Sequence, residues 1–241
     1  DVLPIENTMF LSYKIINRSS NIYNDTYIGL FTDFDIGYGG DDYVGCDVTR
    51  GAYYGYNGYD VDGNGEPEAY GETIPAQGIV ILGGPLMDSN GIDDPDDQCD
   101  ESVNGVGFGD GVDDNERYGM TRVVYFNNTG GTYMSDPITA SEYYDYLNGV
   151  WRDGTPMEYG GNGHVSTGAY GPAAKFMYPG TSDPCFWGTG GEEPYGPIKW
   201  TEETAGNEPN DRRGLSIMGP FTFESGSMER VDIAFVSAFP D

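Results

Sequence analysis

Apolar and polar residues alternate along several short stretches of the chain, and this period of two predicts β-strands. Residues 9–17 are the first such stretch, with Met9, Leu11, Tyr13 and Ile15 on one face. Further strands are predicted at residues 27–34, 52–56, 78–82 and 121–126. The stretch 78–82 is wholly apolar, which is typical of a strand that is covered on both faces.

The alternation returns near the end of the chain, in residues 220–224 and 228–237 on either side of a Ser225-Gly226 turn. Two alternating runs around a short glycine-containing turn predict a β-hairpin. Strands at both ends of the chain must then pair with strands in the middle. The prediction is an all-β fold, a β-sandwich of jelly-roll or immunoglobulin-like type with long Gly/Asp-rich loops.

One short helix is predicted, near residues 139–152. Thr139 and Glu142 have the T-x-x-E spacing of a capping box. The apolar positions that follow have helical spacing, and we expect them to dock on the sheet. They are Tyr143, Tyr146, Leu147 and Val150.

Residues 153–214 are rich in glycine, proline and aromatic residues and show no period. We predict one domain, residues 1–241, in which 153–214 form a long irregular insertion. The chain starts at Asp1 without a signal sequence, and an apolar strand runs almost to Asp241. We therefore expect a fragment of a larger protein.

The chain is strongly acidic, with 40 Asp and Glu against 11 Lys and Arg and a formal net charge of −29. This charge repels phosphate backbones and anionic lipids, so neither nucleic acid nor an anionic membrane surface is an expected partner. No apolar run reaches the roughly 18 residues that a membrane-spanning helix needs. Direct membrane insertion is therefore not expected.

Much of the acidic charge is concentrated in Asp/Asn/Gly loops, which favours cation binding over simple solvation. Carboxylate and amide oxygens at short spacing suit the six to eight oxygen ligands of Ca²⁺. We predict calcium, with two or more ions. The candidate ligands are Asp33, Asp35, Asp41 and Asp42, then Asp60, Asp62, Asn64 and Glu66, and finally Asp88, Asn90, Asp93, Asp94, Asp110, Asp113, Asp114 and Glu116.

The second of these loops begins like an EF-hand, because Asp60, Asp62 and Asn64 alternate before Gly65. Position twelve of the loop is Gly71 rather than the usual glutamate, and neither flank has a helical pattern. A full EF-hand is therefore not expected. The alternatives are a looser oxygen site or an ordinary solvated turn.

The three cysteines, Cys46, Cys99 and Cys185, are too far apart in sequence for a zinc ribbon. In an oxidising compartment they would form one disulfide and leave one thiol, with three possible pairings. The alternative is three reduced, buried cysteines.

Six stretches carry a resemblance to known proteins: DFDIGYGGDDYVGCD, FGDGVDDNERYGM, YYDYLNGVWRDGTPMEYGG, SDPCFWGTGG, WTEETAGNEPNDRR and GPFTFESGSMERVDIAFV. Together they cover most of the chain after residue 27, and they resemble large secreted surface proteins of Bacteroidota that the type IX secretion system exports. The resemblance implies an exported, multidomain protein at the cell surface or in the extracellular space.

The leading functional hypothesis is a calcium-stabilised structural or adhesive domain of a surface or filament protein. Its partners would be other domains or copies of the same protein. The alternative is a calcium-dependent carbohydrate-binding module, in which Trp187 and Trp200 stack on sugar rings unless they fill the core. The third hypothesis is a glycoside-active enzyme that uses Glu202 and Glu203 as its two carboxylates. The chain has no recognisable catalytic motif, so an enzyme is not expected.

Overall fold

The structure is a computed structural model that describes residues 5–97, 99–127, 131–194 and 199–240. No helix within these ranges has the length and apolar character needed to cross a membrane. The strands are β1 Thr8–Ile16, β2 Tyr23–Asp33, β3 Asp42–Asp47, β4 Ala52–Asn57, β5 Ala76–Gly83, β6 Arg122–Phe126, β7 Arg213–Phe223 and β8 Met228–Ala238. The α-helices are α1 Ala140–Leu147 and α2 Glu202–Ala205.

The strands form two antiparallel sheets, one of five strands in the order β1-β8-β5-β4-β3 and one of three in the order β2-β7-β6. Ile79 and Ile233 of the larger sheet share one core with Val123 and Met218 of the smaller, and each is at most 1% exposed. The predicted all-β sandwich is confirmed.

The predicted hairpin at the end of the chain is wrong. β7 pairs with β2 and β6, whereas β8 pairs with β1 and β5 in the other sheet. The turn before β8 therefore carries the chain across the sandwich. β7 also begins at Arg213, earlier than predicted, and is buried along most of its length because it is the central strand of its sheet.

A strand was missed at β3, which the sequence pattern assigned to an acidic loop. Tyr43, Val44 and Cys46 are buried there, and the strand pairs with β4 from Asp42 to Asp47. The aspartates at both ends of this strand interrupt the apolar pattern, so alternation did not predict a strand here.

The predicted helix is confirmed as α1, although it ends at Leu147, before Val150, and leaves Tyr143 56% exposed. Thr139 and Glu142 form the capping box. Tyr146 packs on Phe126 of β6 with ring centroids 5.1 Å apart. A Cβ on Gly29 would lie 2.8 Å from Leu147 Cδ2, so a glycine in β2 allows the helix to approach the sheet closely.

The segment between α1 and β7 is largely irregular, as predicted, although it also contains α2 and single turns of 3₁₀-helix at Val165–Thr167 and Trp187–Thr189. A disulfide joins Cys99 to Cys185. Cys46 is a free, buried thiol. The expectation of one disulfide and one remaining thiol is therefore confirmed. The alternative of three reduced cysteines is wrong.

Candidate metal site

Three buried carboxylates lie near one end of the five-stranded sheet and influence one another electrostatically, and we call them the inner acidic cluster. Asp41 and Asp42 stand at the start of β3, and Asp62 lies in the loop that follows β4. Their exposed fractions are 6%, 2% and 1%. Removing an ionised carboxylate from water is costly unless hydrogen bonds and a counter-charge replace the water.

In the carboxylates of Asp41 and Asp42, only one of the two oxygens accepts a hydrogen bond. Asp42 Oδ2 accepts from the Ile36 N–H at 2.9 Å, and Asp41 Oδ2 accepts from the Gly63 N–H at 2.9 Å. In each case the other oxygen, Oδ1, is buried and has no hydrogen-bond partner among the described residues. Unpaired buried oxygens are rare in native proteins and point to a missing partner.

Asp62 is held by the backbone of the neighbouring loops. Its Oδ1 accepts from the Tyr38 N–H at 3.0 Å, and its Oδ2 accepts from the Tyr70 N–H. Gly37 has a φ of +67°, and a Cβ there would lie 1.9 Å from Asp62 Oδ2. Any side chain at position 37 would therefore displace the carboxylate.

The electrostatics of the cluster are unfavourable without a cation. Burial, assisted by the charges of Asp41, Asp62 and Asp35, raises the pKa of Asp42 to about 8. Burial, followed by the charges of Asp62 and Glu66, also raises the pKa of Asp41. Within the described ranges, no lysine or arginine forms an ion pair with the inner acidic cluster.

Asn57 is a further candidate ligand that the sequence did not reveal. It lies directly opposite Asp42 in the β3–β4 ladder, and directly opposed residues share one face of a sheet. Its Oδ1 is also buried without a hydrogen-bond partner among the described residues. Only the strand register places this amide beside the carboxylates, so no sequence pattern could have found it.

A second group, the outer acidic trio, comprises Asp33, Asp35 and Asp211. Among the Asp, Glu, His and Cys residues that the structure describes, this is the group in which one oxygen from each of three carboxylates lies within 4.8 Å of the other two. Arg213 supplies a counter-charge, because Nε lies 3.1 Å from Asp33 and Nη2 lies 3.6 Å from Asp211. Asp211 follows β2 by a long stretch of chain and was missed from the sequence.

The oxygens of the inner acidic cluster are spread more widely than those of the trio. A cation there would need backbone or water oxygens to complete its shell, which is common for Ca²⁺. The predicted ligands Asp33, Asp35, Asp41 and Asp42 therefore divide between two places. Asp35 connects them, because its charge acts on both Asp33 and Asp42.

The EF-hand-like loop does not gather its alternating residues around one point. Asp62 is drawn inward by backbone N–H groups, whereas Asp60 and Asn64 are exposed. Glu66 is half-buried, and its Oε2 accepts from the backbone N–H of Asn64. Of these four positions, Asp62 is the one that is buried in the inner acidic cluster.

The two halves of the third acidic region fold against each other as paired loops, residues 88–94 and 110–116. Asp114 Oδ1 accepts from the backbone N–H groups of Asn90 and Gly91 at 2.7 and 2.8 Å. In return, Asp93 accepts from the backbone of residues 109 and 111 at 2.8 and 2.7 Å. The two loops have related sequences, NGIDD and DGVDD, and this similarity could have indicated that they pair with each other.

Most other carboxylates of the paired loops also accept protein hydrogen bonds. Glu116 is 3% exposed and accepts from the Asp94 N–H at 2.7 Å. Asp88 accepts from the N–H and hydroxyl of Thr222, both at 2.8 Å. Asp94 accepts from the Asn90 side chain, Asp110 accepts from Val112 and Asn115, and Asp113 is exposed. These contacts connect the paired loops through hydrogen bonds of their own.

The tryptophans proposed to stack on sugars are in the core. Trp187 is 7% exposed and packs on Phe176 with centroids 5.3 Å apart. Trp200 is 2% exposed and packs on Tyr159 at 4.6 Å. The expectation of exposed stacking faces is corrected, because the irregular segment folds inward and buries both rings.

Glu202 and Glu203, the two carboxylates of the glycoside hypothesis, have different surroundings. Glu202 is fully buried, lies 3.0 Å from Arg212 Nη2 and accepts from the Val44 N–H at 2.8 Å. Glu203 instead accepts from the Tyr56 hydroxyl at 3.1 Å. Neighbouring residues at the start of α2 therefore point to different environments.

His164 lies in a hydrogen-bonded row with Asp153 and Ser166. Nε2 lies 2.9 Å from Asp153 Oδ2, and Nδ1 lies 2.7 Å from Ser166 Oγ. Nδ1 also accepts from the Ser166 backbone N–H at 3.0 Å, which caps a 3₁₀ turn, and Tyr133 stacks on the ring at 3.9 Å. These contacts hold the imidazole in a fixed position beside the 3₁₀ turn.

Comparison with known proteins identifies no relative. No family model matches the chain, and neither a curated protein nor a solved structure matches it.

Proposed function

We propose that this chain is a calcium-stabilised extracellular domain with a structural or adhesive role in a surface or filament protein. One observation carries the proposal: Asp41 and Asp42 are buried, and each keeps a carboxylate oxygen without a partner among the described residues. A divalent cation would supply both the missing ligand contacts and the missing positive charge.

The donor set favours calcium over other biological metals. It consists of carboxylate and amide oxygens, which suit hard cations. The wide spacing of the carboxylates suits the flexible shell of Ca²⁺ better than the strict octahedron of Mg²⁺. Zinc sites usually use His or Cys, and the one histidine of the chain contacts Asp153 instead.

The place of the cluster suggests a mechanical role. Asp42 opens β3, whereas Asp62 accepts backbone hydrogen bonds from Tyr38, in the loop before β3, and from Tyr70, in its own loop after β4. A bound ion would tie the loop that precedes β3 to the loop that follows β4. It would thereby stiffen one end of the sandwich, which suits a domain that contacts other domains or copies of the same protein.

The extracellular part of the proposal is supported by the disulfide between Cys99 and Cys185. Disulfides persist in oxidising compartments and are rare in reducing ones. The resemblance to exported Bacteroidota surface proteins points to the same location. Calcium at millimolar concentration is typical of that environment.

Calcium is expected to raise the melting temperature of the purified chain. Extracellular sites bind with Kd values of about 10⁻⁴ to 10⁻³ M, so about 2 mM calcium would add about 1.8 kcal/mol at the tighter limit. For a domain of this size the gain corresponds to a rise of about 4 to 7 °C. The measurement is a thermal melt of metal-stripped protein with calcium, with magnesium and with neither.

Three variants test where the ion binds in that experiment. Asp62→Ala should remove most of the calcium-dependent rise, whereas Asp96→Ala, an exposed aspartate outside the inner acidic cluster, should keep it. Asp113→Ala tests whether the paired loops hold a further ion. An equal rise with magnesium, or an unchanged rise in Asp62→Ala, would count against the calcium site at the inner acidic cluster.

The calcium-dependent gain is also expected to increase with pH. The pKa of Asp42 is about 8 in the metal-free fold, above its ordinary value of 3.8, so the folded state retains a proton that the unfolded state has released. Metal-free stability therefore falls as the pH rises between about 4 and 8, by at most about 1.4 kcal/mol per pH unit for this one group. Calcium requires the ionised carboxylate and displaces that proton.

The pH prediction is checked by melts of metal-stripped protein between about pH 5.5 and pH 8.5, with and without calcium. Stripped protein is preferable to EDTA, because protonation weakens the chelator across this range. Asp42→Asn is the control, and it should lose the pH dependence of stability that the titration of Asp42 causes. A calcium-dependent gain that is the same at both ends of the pH range would contradict the assignment of Asp42 as a ligand.

A further inference from the structure

The outer face of the three-stranded sheet is only partly covered. Gly214 in β7 faces the other sheet, because a Cβ there would lie 2.1 Å from Tyr53 Oη. Successive residues of a strand point to opposite faces, so Arg213 and Leu215 point outward. Helix α1 covers part of this outer face through Leu147.

An open groove with a volume of about 570 Å³ lies beside the helix on this face, and we call it the outer groove. Phe126 and Leu215 form an apolar lining and are at most 9% exposed. Phe31 and Tyr143 also line the groove, and each is 56% exposed. A groove of this size and composition suits a bulky apolar group.

Excess negative charge surrounds one end of the outer groove. Arg213 and Asp136 line it, and the Arg213 guanidinium lies 2.8 Å from Asp136 and 3.1 Å from Asp33. Asp211 lies 3.6 Å from the same guanidinium, and Asp35 belongs to the outer acidic trio with Asp33 and Asp211. One guanidinium among four carboxylates leaves a formal charge of −3 at this end.

We propose that the outer groove binds a polypeptide segment in which a bulky apolar side chain stands next to lysine or arginine. The apolar side chain would fill the groove between Phe31 and Tyr143. The adjacent ammonium or guanidinium group would approach the carboxylates that Arg213 does not neutralise. This inference is independent of the calcium proposal, since none of these residues belongs to the inner acidic cluster.

The chemistry of the groove favours this ligand over the alternatives. A sugar would present hydroxyl groups to Phe126 and Leu215, which offer them no side-chain hydrogen bonds. An acidic segment would be repelled by the excess carboxylates. Complementary charge and an apolar anchor together are what short peptide motifs commonly use for recognition.

The test uses three fluorescently labelled pentapeptides and the whole chain, with fluorescence anisotropy as the measurement. Acetyl-Gly-Lys-Phe-Lys-Gly-amide is expected to bind saturably at low ionic strength. Replacing both lysines by glutamate, or the phenylalanine by alanine, should weaken binding by about tenfold or more. Equal binding of all three peptides, or binding of none, would overturn the proposal.

Protein variants test whether the peptide occupies the outer groove. Phe31→Ala and Tyr143→Ala should each weaken binding of the lysine-phenylalanine peptide by about fivefold or more, with little change in melting temperature. Tyr59→Ala is the matched control, because Tyr59 is an aromatic residue of similar exposure, 54%, outside the groove lining. Unchanged binding in both groove variants would refute the location.

A calcium titration separates peptide binding from metal binding at the outer acidic trio. If the carboxylates serve the peptide, then about 2 mM calcium should change its affinity by less than about threefold beyond the effect of matched ionic strength. Complete displacement of the peptide by calcium would assign these carboxylates to a metal and overturn the proposal.

Discussion

Arg212→Met is expected to destabilise the fold by about 3 to 5 kcal/mol, because it leaves the carboxylate of Glu202 buried without its counter-charge. Glu202 is fully buried. The Arg212 Nε donates to both carboxylate oxygens of Glu202 at 3.1 Å, and the Arg212 Nη2 donates to the Glu208 carbonyl at 2.7 Å. Urea unfolding monitored by fluorescence would measure the loss of stability.

Two controls separate burial from charge. Arg50→Met breaks an exposed ion pair with Asp47 and should change stability by less than about 1 kcal/mol. The double variant Glu202→Leu/Arg212→Met should recover most of the lost stability, since it removes both buried charges. A loss below about 1 kcal/mol in Arg212→Met would show that the pair contributes little beyond packing.

Asp42→Asn is expected to have opposite effects with and without calcium. In metal-free protein near pH 8, the substitution removes a buried, partly ionised group and should stabilise the fold by about 1 to 3 kcal/mol. In calcium it removes a charged ligand, so the variant should lose most of the calcium-dependent gain. Melts of wild type and variant under both conditions measure the reversal.

Asp96→Asn is the matched control for this reversal, because it makes the same change of charge at an exposed position. It should shift the melting temperature by the same small amount in both conditions. If Asp42→Asn changed stability equally with and without calcium, Asp42 would be a buried acid of the fold and not a ligand.

The assignment of calcium depends on burial more than on the number of acidic residues. The paired loops hold many carboxylates, yet Asp93 and Asp114 accept backbone hydrogen bonds that organise the loops by themselves. The inner acidic cluster has fewer carboxylates, but Asp41 and Asp42 each have an oxygen that no described group satisfies. These unsatisfied carboxylate oxygens are the feature on which the candidate ion site rests.

Local patterns predicted the elements of this fold well. Alternation located most strands because a half-buried strand needs apolar residues on one face only. The Thr139 and Glu142 capping box located α1, since both partners lie within one turn. The patterns failed for β3, whose flanking acids mask the buried centre, and for the turn before β8, which carries the chain to the other sheet.

The sequence by itself determined the β-rich class, the helix, the acidity and the set of carboxylates from which a metal site could be built. Tertiary structure alone decided that Trp187 and Trp200 are buried, that Asn57 faces Asp42, and that Asp211 joins Asp33. The physical reason is the range of the interactions. Periodicity and capping depend on residues a few positions apart, whereas burial and register depend on residues that meet only after the chain has folded.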